Sequence, residues 1–129
     1  MGQQQLLLIV LGVIVVGISI VVGISLFRTS AVQANRDAVM ADLNHLASVA
    51  IQYYKRPVAA NGGGNSYVGF TLPGGLTSNA NGTYSISTAG TVSTIVFQGV
   101  GTETGDNGSG KVTYRATVTS TNISITKVN

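Results

Sequence analysis

The stretch MGQQQLLLIVLGVIVVGISIVVGISLF, residues 1–27, holds no charged side chain and runs straight into Arg28. Residues 6–27 are 22 consecutive residues drawn only from Leu, Ile, Val, Phe, Gly and Ser. As a helix rising ~1.5 Å per residue, such a run is ~33 Å long, about the thickness of a bilayer's hydrocarbon core. It is apolar on every face, so it must be covered on every face, by lipid or by other protein. A secretory signal has a basic n-region, a short apolar core and a small-residue cleavage site. No basic residue precedes Arg28 and the apolar run is too long, which argues against a cleaved signal. All nearby positive charge follows the span, which in a simple single-pass protein would place the remainder in the cytoplasm.

The helix signal continues past the apolar run. Val39, Leu43, Leu46, Ala50 and Tyr53 are spaced 4, 3, 4 and 3 apart, with Val32 one heptad before Val39. They form one apolar stripe, flanked by Ala47, Ile51 and Tyr54. The opposite side is expected to carry Gln33, Arg36, Asp37, Asn44, Ser48 and Lys55. No Pro or Gly interrupts residues 24–56, so the spacing predicts one helix from about residue 4 to 55, ~75 Å long. Pro57 and the glycines at 62–64 end it.

The remainder predicts β-structure. YVGFTL (67–72), TYSIST (83–88), VSTIVFQG (92–99), KVTYRATVT (111–119) and TNISITKV (121–128) are rich in β-branched and aromatic residues between Gly- and Asn-bearing turns. In the fourth run Val112, Tyr114, Ala116 and Val118 are expected inward and the intervening residues outward. The fourth and fifth runs are close enough for a tight hairpin. So thin a sheet needs a cover, and the stripe on residues 32–54 is the candidate. The expected fold is therefore α+β. One long N-terminal helix packs its C-terminal half on a small antiparallel sheet, leaving residues 1–27 as an apolar rod, 28–57 as the amphipathic half and 58–129 as a β-rich head.

Composition removes several function classes. Seven Lys and Arg against four Asp and Glu give a net charge of +3, but only Lys55 and Arg56 are adjacent. That lacks the basic stripe of a nucleic-acid binder, so nucleic acid is not indicated. Cysteine is absent, which excludes disulfides, thiolate metal sites and a cysteine nucleophile. From about Asn61 the chain is dominated by Gly, Thr, Ser and Asn, a polar but nearly uncharged composition suited to an exported surface.

GDNGSGKV (105–112) fits the start of a phosphate-binding loop, but Val112 replaces the Ser/Thr and a strand follows where a helix is needed. It is read as a Gly-rich hairpin loop. Glu103 and Asp106 could offer oxygen ligands to Ca²⁺, without the regular spacing of a dedicated loop. His45, the single histidine, lies near Asp42 with no nucleophile placed beside it and is read as a surface or subunit-contact residue. No catalytic residue, cofactor site, metal site or small-molecule substrate is expected. Asn81, Asn107 and Asn122 each open an N-x-[ST] glycosylation sequon.

The uncharged helix from residue 1, its continuation through NRDAVMADLNHLASVAIQYY and the β-rich head together resemble a type IV pilin or pilin-like protein. The resemblance implies a short Lys/Arg-bearing leader ending in Gly just before Met1, its removal by a membrane peptidase, and methylation of Met1. It also implies that the leader sets the orientation before it is lost. Subunits would wait in the inner membrane and be moved by a pilus assembly machinery into a helical homopolymer outside the cell, apolar helices at its centre. Where such pilins usually carry a glutamate this chain has Gln5, which can accept a hydrogen bond from an ammonium but cannot neutralise it. The proline often found near residue 22 is replaced by Val22, and Gly12, Gly17 and Gly23 are left to loosen the helix. The expected subunit interface is Gln5, Leu6, Leu7, Leu8, Ile9, Leu11, Ile14, Ile18, Ser19, Gly23 and Phe27, with Ser19 and Gly23 as a small-xxx-small face. The alternatives are a single-pass membrane protein with a β-rich extracytoplasmic binding head, and a pilin-like component of a secretion system. An enzyme is not expected.

Overall fold

The computed structural model describes residues 2–129. One α-helix, α1, runs unbroken from Gly2 to Lys55. Its 54 residues correspond to ~81 Å, and the three glycines of the apolar half leave it continuous. Pro57 is the first residue that cannot extend it. The chain then folds back on the last turn. Gly63 N donates to Tyr53 O at 2.8 Å, Asn65 N to Tyr54 O at 2.7 Å and Gly64 N to Arg56 O at 3.0 Å. Carbonyls that a helix end leaves open are thereby satisfied.

Five strands follow: β1 (Ser78–Asn79), β2 (Gly82–Thr88), β3 (Thr94–Thr104), β4 (Lys111–Thr119) and β5 (Ile123–Lys127). They form one antiparallel sheet in sequence order, β1-β2-β3-β4-β5. This is the α+β arrangement of a long helix on a small antiparallel sheet, as in pilins. Val112, Tyr114, Ala116 and Val118 all point inward and are buried, as their alternation requires. They meet Val39, Leu43, Leu46, Ala47 and Ala50 of the helix across Ile95 and Phe97. Burying each large side chain of this layer is worth ~1.5–3 kcal/mol, which makes the helical stripe the sheet's second half.

The strand boundaries differ from expectation at three places. Residues 67–72 are not a strand. Gly69 sits at φ +81°, and Phe70 N closes a turn onto Tyr67 O at 3.1 Å. Tyr67 and Phe70 are nonetheless buried, plugging one end of the core, with Phe70 edge-on to Phe97 at 5.7 Å. The strand next to β2 is instead the two-residue β1, held by the Asn79 turn: Asn79 Oδ1 accepts from Asn81 N at 2.8 Å. Finally, β3 continues through Gly99 and Gly101 to Thr104. A Cβ on Gly99 would lie 2.9 Å from Val39 Cγ1, and one on Gly101 2.0 Å from Asn35 Oδ1. These glycines let the helix lie directly on the central strand, a reason that strand propensity alone does not reveal.

Candidate assembly and membrane surface

The large side chains of residues 6–27 contribute nothing to the core. From Leu6 to Phe27 they are 50% to 75% exposed, Val22 least and Phe27 most. The segment is long and apolar enough to cross a membrane, and none of it is covered by the head. Leu6, Leu7, Leu8, Ile9, Leu11, Ile14, Ile18 and Phe27 lie around all sides of this rod, with Gln5 exposed at its N-terminal end. Met1 lies outside the described residues. Ser19 is no polar liability, because its hydroxyl donates to Val15 O at 2.8 Å. A Cβ built on Gly12, Gly17 or Gly23 meets nothing within 4 Å. The fold of the single chain gives no reason for those glycines, each of which costs ~1 kcal/mol of helix propensity relative to Ala.

Two polar clusters fasten the rod to the head. Arg36, expected on the outward side, is buried instead, 6% exposed. It stands three residues before Val39 and so belongs to the apolar stripe. Its guanidinium donates to Asp106 Oδ1 at 2.6 Å, to Tyr114 Oη at 3.3 Å and to the main-chain oxygen of Asn129 at 3.3 Å. Lys127 binds the other oxygen of the same carboxylate. The Lys127 ammonium and the Arg36 guanidinium hold the Asp106 carboxyl below the usual carboxylate range. Asp106 is thereby committed to two side-chain cations, one on each carboxylate oxygen. Among the described residues no group of three or more His, Asp or Glu is placed to hold a metal ion. The loop 105–110 that carries Asp106 is the β3–β4 hairpin connection.

The second cluster centres on Asp42. Its Oδ2 accepts from Tyr84 Oη at 2.5 Å, Asn79 Nδ2 at 3.0 Å and Asn81 Nδ2 at 3.2 Å. Burial opposes the charge of this carboxyl, but the three hydrogen bonds, with a smaller contribution from His45, outweigh it and lower its pKa. Burial, then the bond to Asp42, drives the Tyr84 hydroxyl the other way, well above the ordinary value of 10.0. Asn35 adds a third link, donating to Asn81 O at 2.9 Å and accepting from Thr102 N at 3.1 Å. The helix is thus tied to β1–β2, to the end of β3 and to the β3–β4 loop. No local signal marks Asp42 as a clamp, since its donors lie 37 to 42 residues away.

The three sequons fall in different surroundings. The Asn81 amide is engaged by Asp42 and half-buried. Asn107 is exposed in the hairpin loop, its Oδ1 accepting from Gly110 N at 2.7 Å and Ser109 N at 3.0 Å. Asn122 is exposed at the β4–β5 turn, where Thr119 N donates to Asn122 O at 2.9 Å. A membrane anchor or a filament subunit both fit a chain whose apolar half-helix projects bare from a closed head. Compared with protein-family models, with curated proteins and with solved structures, the chain matches none.

Proposed function

We propose that this chain is a structural subunit that polymerises through residues 6–27 into an extracellular filament of the type IV pilus kind, after a stage anchored in the inner membrane. The observation that carries the proposal is the bare apolar half of α1, none of which is needed by the core. A span that serves only as an anchor needs apolar length alone. This one also carries Gly12, Gly17 and Gly23, which the single chain does not use. Small residues let helix backbones approach closely, where packing between helices must replace packing against lipid. The growing contact is heterologous, one surface of a copy meeting a different surface of the next, so that it extends without closing.

Transfer from lipid to the filament centre exchanges one apolar surrounding for another and is close to neutral in hydrophobic terms, so complementarity of shape decides it. The head supplies the polar outer surface. Electron microscopy of material sheared from expressing cells tests the reading. Thin fibres that contain this chain are expected. Chain found only as membrane-bound monomer would favour the single-pass alternative and overturn the proposal.

A further inference from the structure

A cleft of about 670 Å³ opens where the rod enters the head, between α1 and the β3–β4 loop. Its helical wall starts inside the apolar run, at Val21 and Ile24, and continues through Arg28 to Val32. Its other wall is Glu103, Thr104 and Gly105 at the end of β3. From Val21 to Arg28 the helix rises ~10 Å. With the apolar run in a bilayer core, that height covers the outermost acyl groups and the headgroup layer, which is ~5–8 Å thick on each side.

The charges of the cleft separate into two sets. Asp106 is shared by two cations, Arg36 at 2.6 Å on one carboxylate oxygen and Lys127 on the other. Among the described residues, Arg28 and Glu103 make no ion pair. Of the described residues, Arg28 thus stands as an unpaired cation on the helical wall and Glu103 as an unpaired anion on the strand wall. Their heights differ. Asn35 Oδ1 accepts from Thr102 N at 3.1 Å and Glu103 N at 3.4 Å, so the Glu103 main chain lies beside Asn35, further along the helix than Arg28. By main-chain position, outward from the membrane, the cleft is lined by apolar residues, then by a cationic residue, then by an anionic one.

Acyl chain, phosphate and ammonium follow in that same order in a zwitterionic phospholipid. We infer that this cleft binds the headgroup of a phospholipid with a primary ammonium, of the phosphoethanolamine class. Arg28 takes the phosphate through its fork of donors. Glu103 accepts charge-assisted hydrogen bonds from the ammonium, which a quaternary choline, lacking N–H, cannot give. Val21 and Ile24 meet the first carbons of the acyl chain. The inference rests on the reading that residues 6–27 span a membrane before assembly.

The test reconstitutes the full chain in phosphatidylcholine vesicles doped with a phosphatidylethanolamine that carries a photo-crosslinking group near its glycerol. Crosslinks are expected on α1 between Val21 and Val32 and on the loop after Glu103. Arg28→Gln and Glu103→Gln should each reduce them several-fold. Unlabelled phosphatidylethanolamine should compete and extra phosphatidylcholine should not. Crosslinks spread evenly around α1, or unchanged in both variants, overturn the inference while leaving the membrane stage intact. Equal competition by both lipids removes the ammonium from it. A chain that alkaline carbonate strips from the vesicles removes the membrane stage, and the inference with it. Circular dichroism checks that each variant keeps its fold.

Discussion

At Asp42 one carboxylate oxygen serves three donors from β1, β2 and the turn between them. Removing it leaves the Tyr84 hydroxyl buried without its partner, the costly half of breaking a hydrogen bond. Asp42→Ala should therefore destabilise the head by about 1–2 kcal/mol, held to that range by the half-exposed position of the carboxylate. Thermal unfolding of the full chain in detergent micelles, followed by near-ultraviolet circular dichroism of its tyrosines, measures this. The folded-state pKa of Asp42 lies below the ordinary value of 3.8. Its contribution is then fully present above the unfolded pKa and is lost as pH falls through the folded one, below about pH 4. Asp42→Asn should flatten that acid limb without abolishing it, because Asp106 titrates with the same sign. An acid limb unchanged in the variant would contradict the clamp. None of this was visible in the sequence around Asp42, where the nearest suggestive neighbour was His45. A carboxylate's role depends on which donors the fold delivers to it, and these come from another element.

The helix was legible and the strands only partly so, for reasons of range. A 3.6-residue period is a local property, so the spacing of Val39, Leu43, Leu46 and Ala50 located the core face without knowledge of the sheet. Arg36 stands on that same face, yet its charge suggested the outward side; only Asp106, 70 residues on, shows how the face tolerates it. Residues 67–72 have strand composition but turn at Gly69, and β3 runs through two glycines that would ordinarily weaken a strand. The value of Gly101 lies in what it leaves room for. Gly101→Ala would drive a Cβ into Asn35 and push the helix off β3, at about 1–3 kcal/mol, the usual range for overpacking. A melting temperature equal to that of the unaltered chain would refute the close approach. Gly23→Leu is the contrasting case. Its Cβ meets open space, so the monomer should unfold as before, while filament yield should fall sharply. Fibres as abundant as those of the unaltered chain would show that Gly23 is not at the helix–helix contact.

At the scale of the whole molecule, two parts of the chain draw stability from different sources. Every buried apolar residue of the core lies between Val39 and Val118, and the half-buried residues packed on it begin at Val32. Both polar clusters and the Asn35 link attach to α1 at Asn35, Arg36 and Asp42, beyond the end of the apolar run. The rod could thus be removed without opening the head. Deleting residues 2–27 takes away an exposed apolar surface and leaves α1 from Arg28 onward, with its stripe, its clamps and its C-terminal turn complete. The expected product is a soluble monomer by size-exclusion chromatography that unfolds at the temperature of the full chain in detergent, and that neither associates with vesicles nor appears in sheared fibres. If the shortened chain is unfolded, the rod supports the core in a way the packing does not indicate. Should it still form fibres, the head carries the polymer contact, and residues 6–27 act only as an anchor.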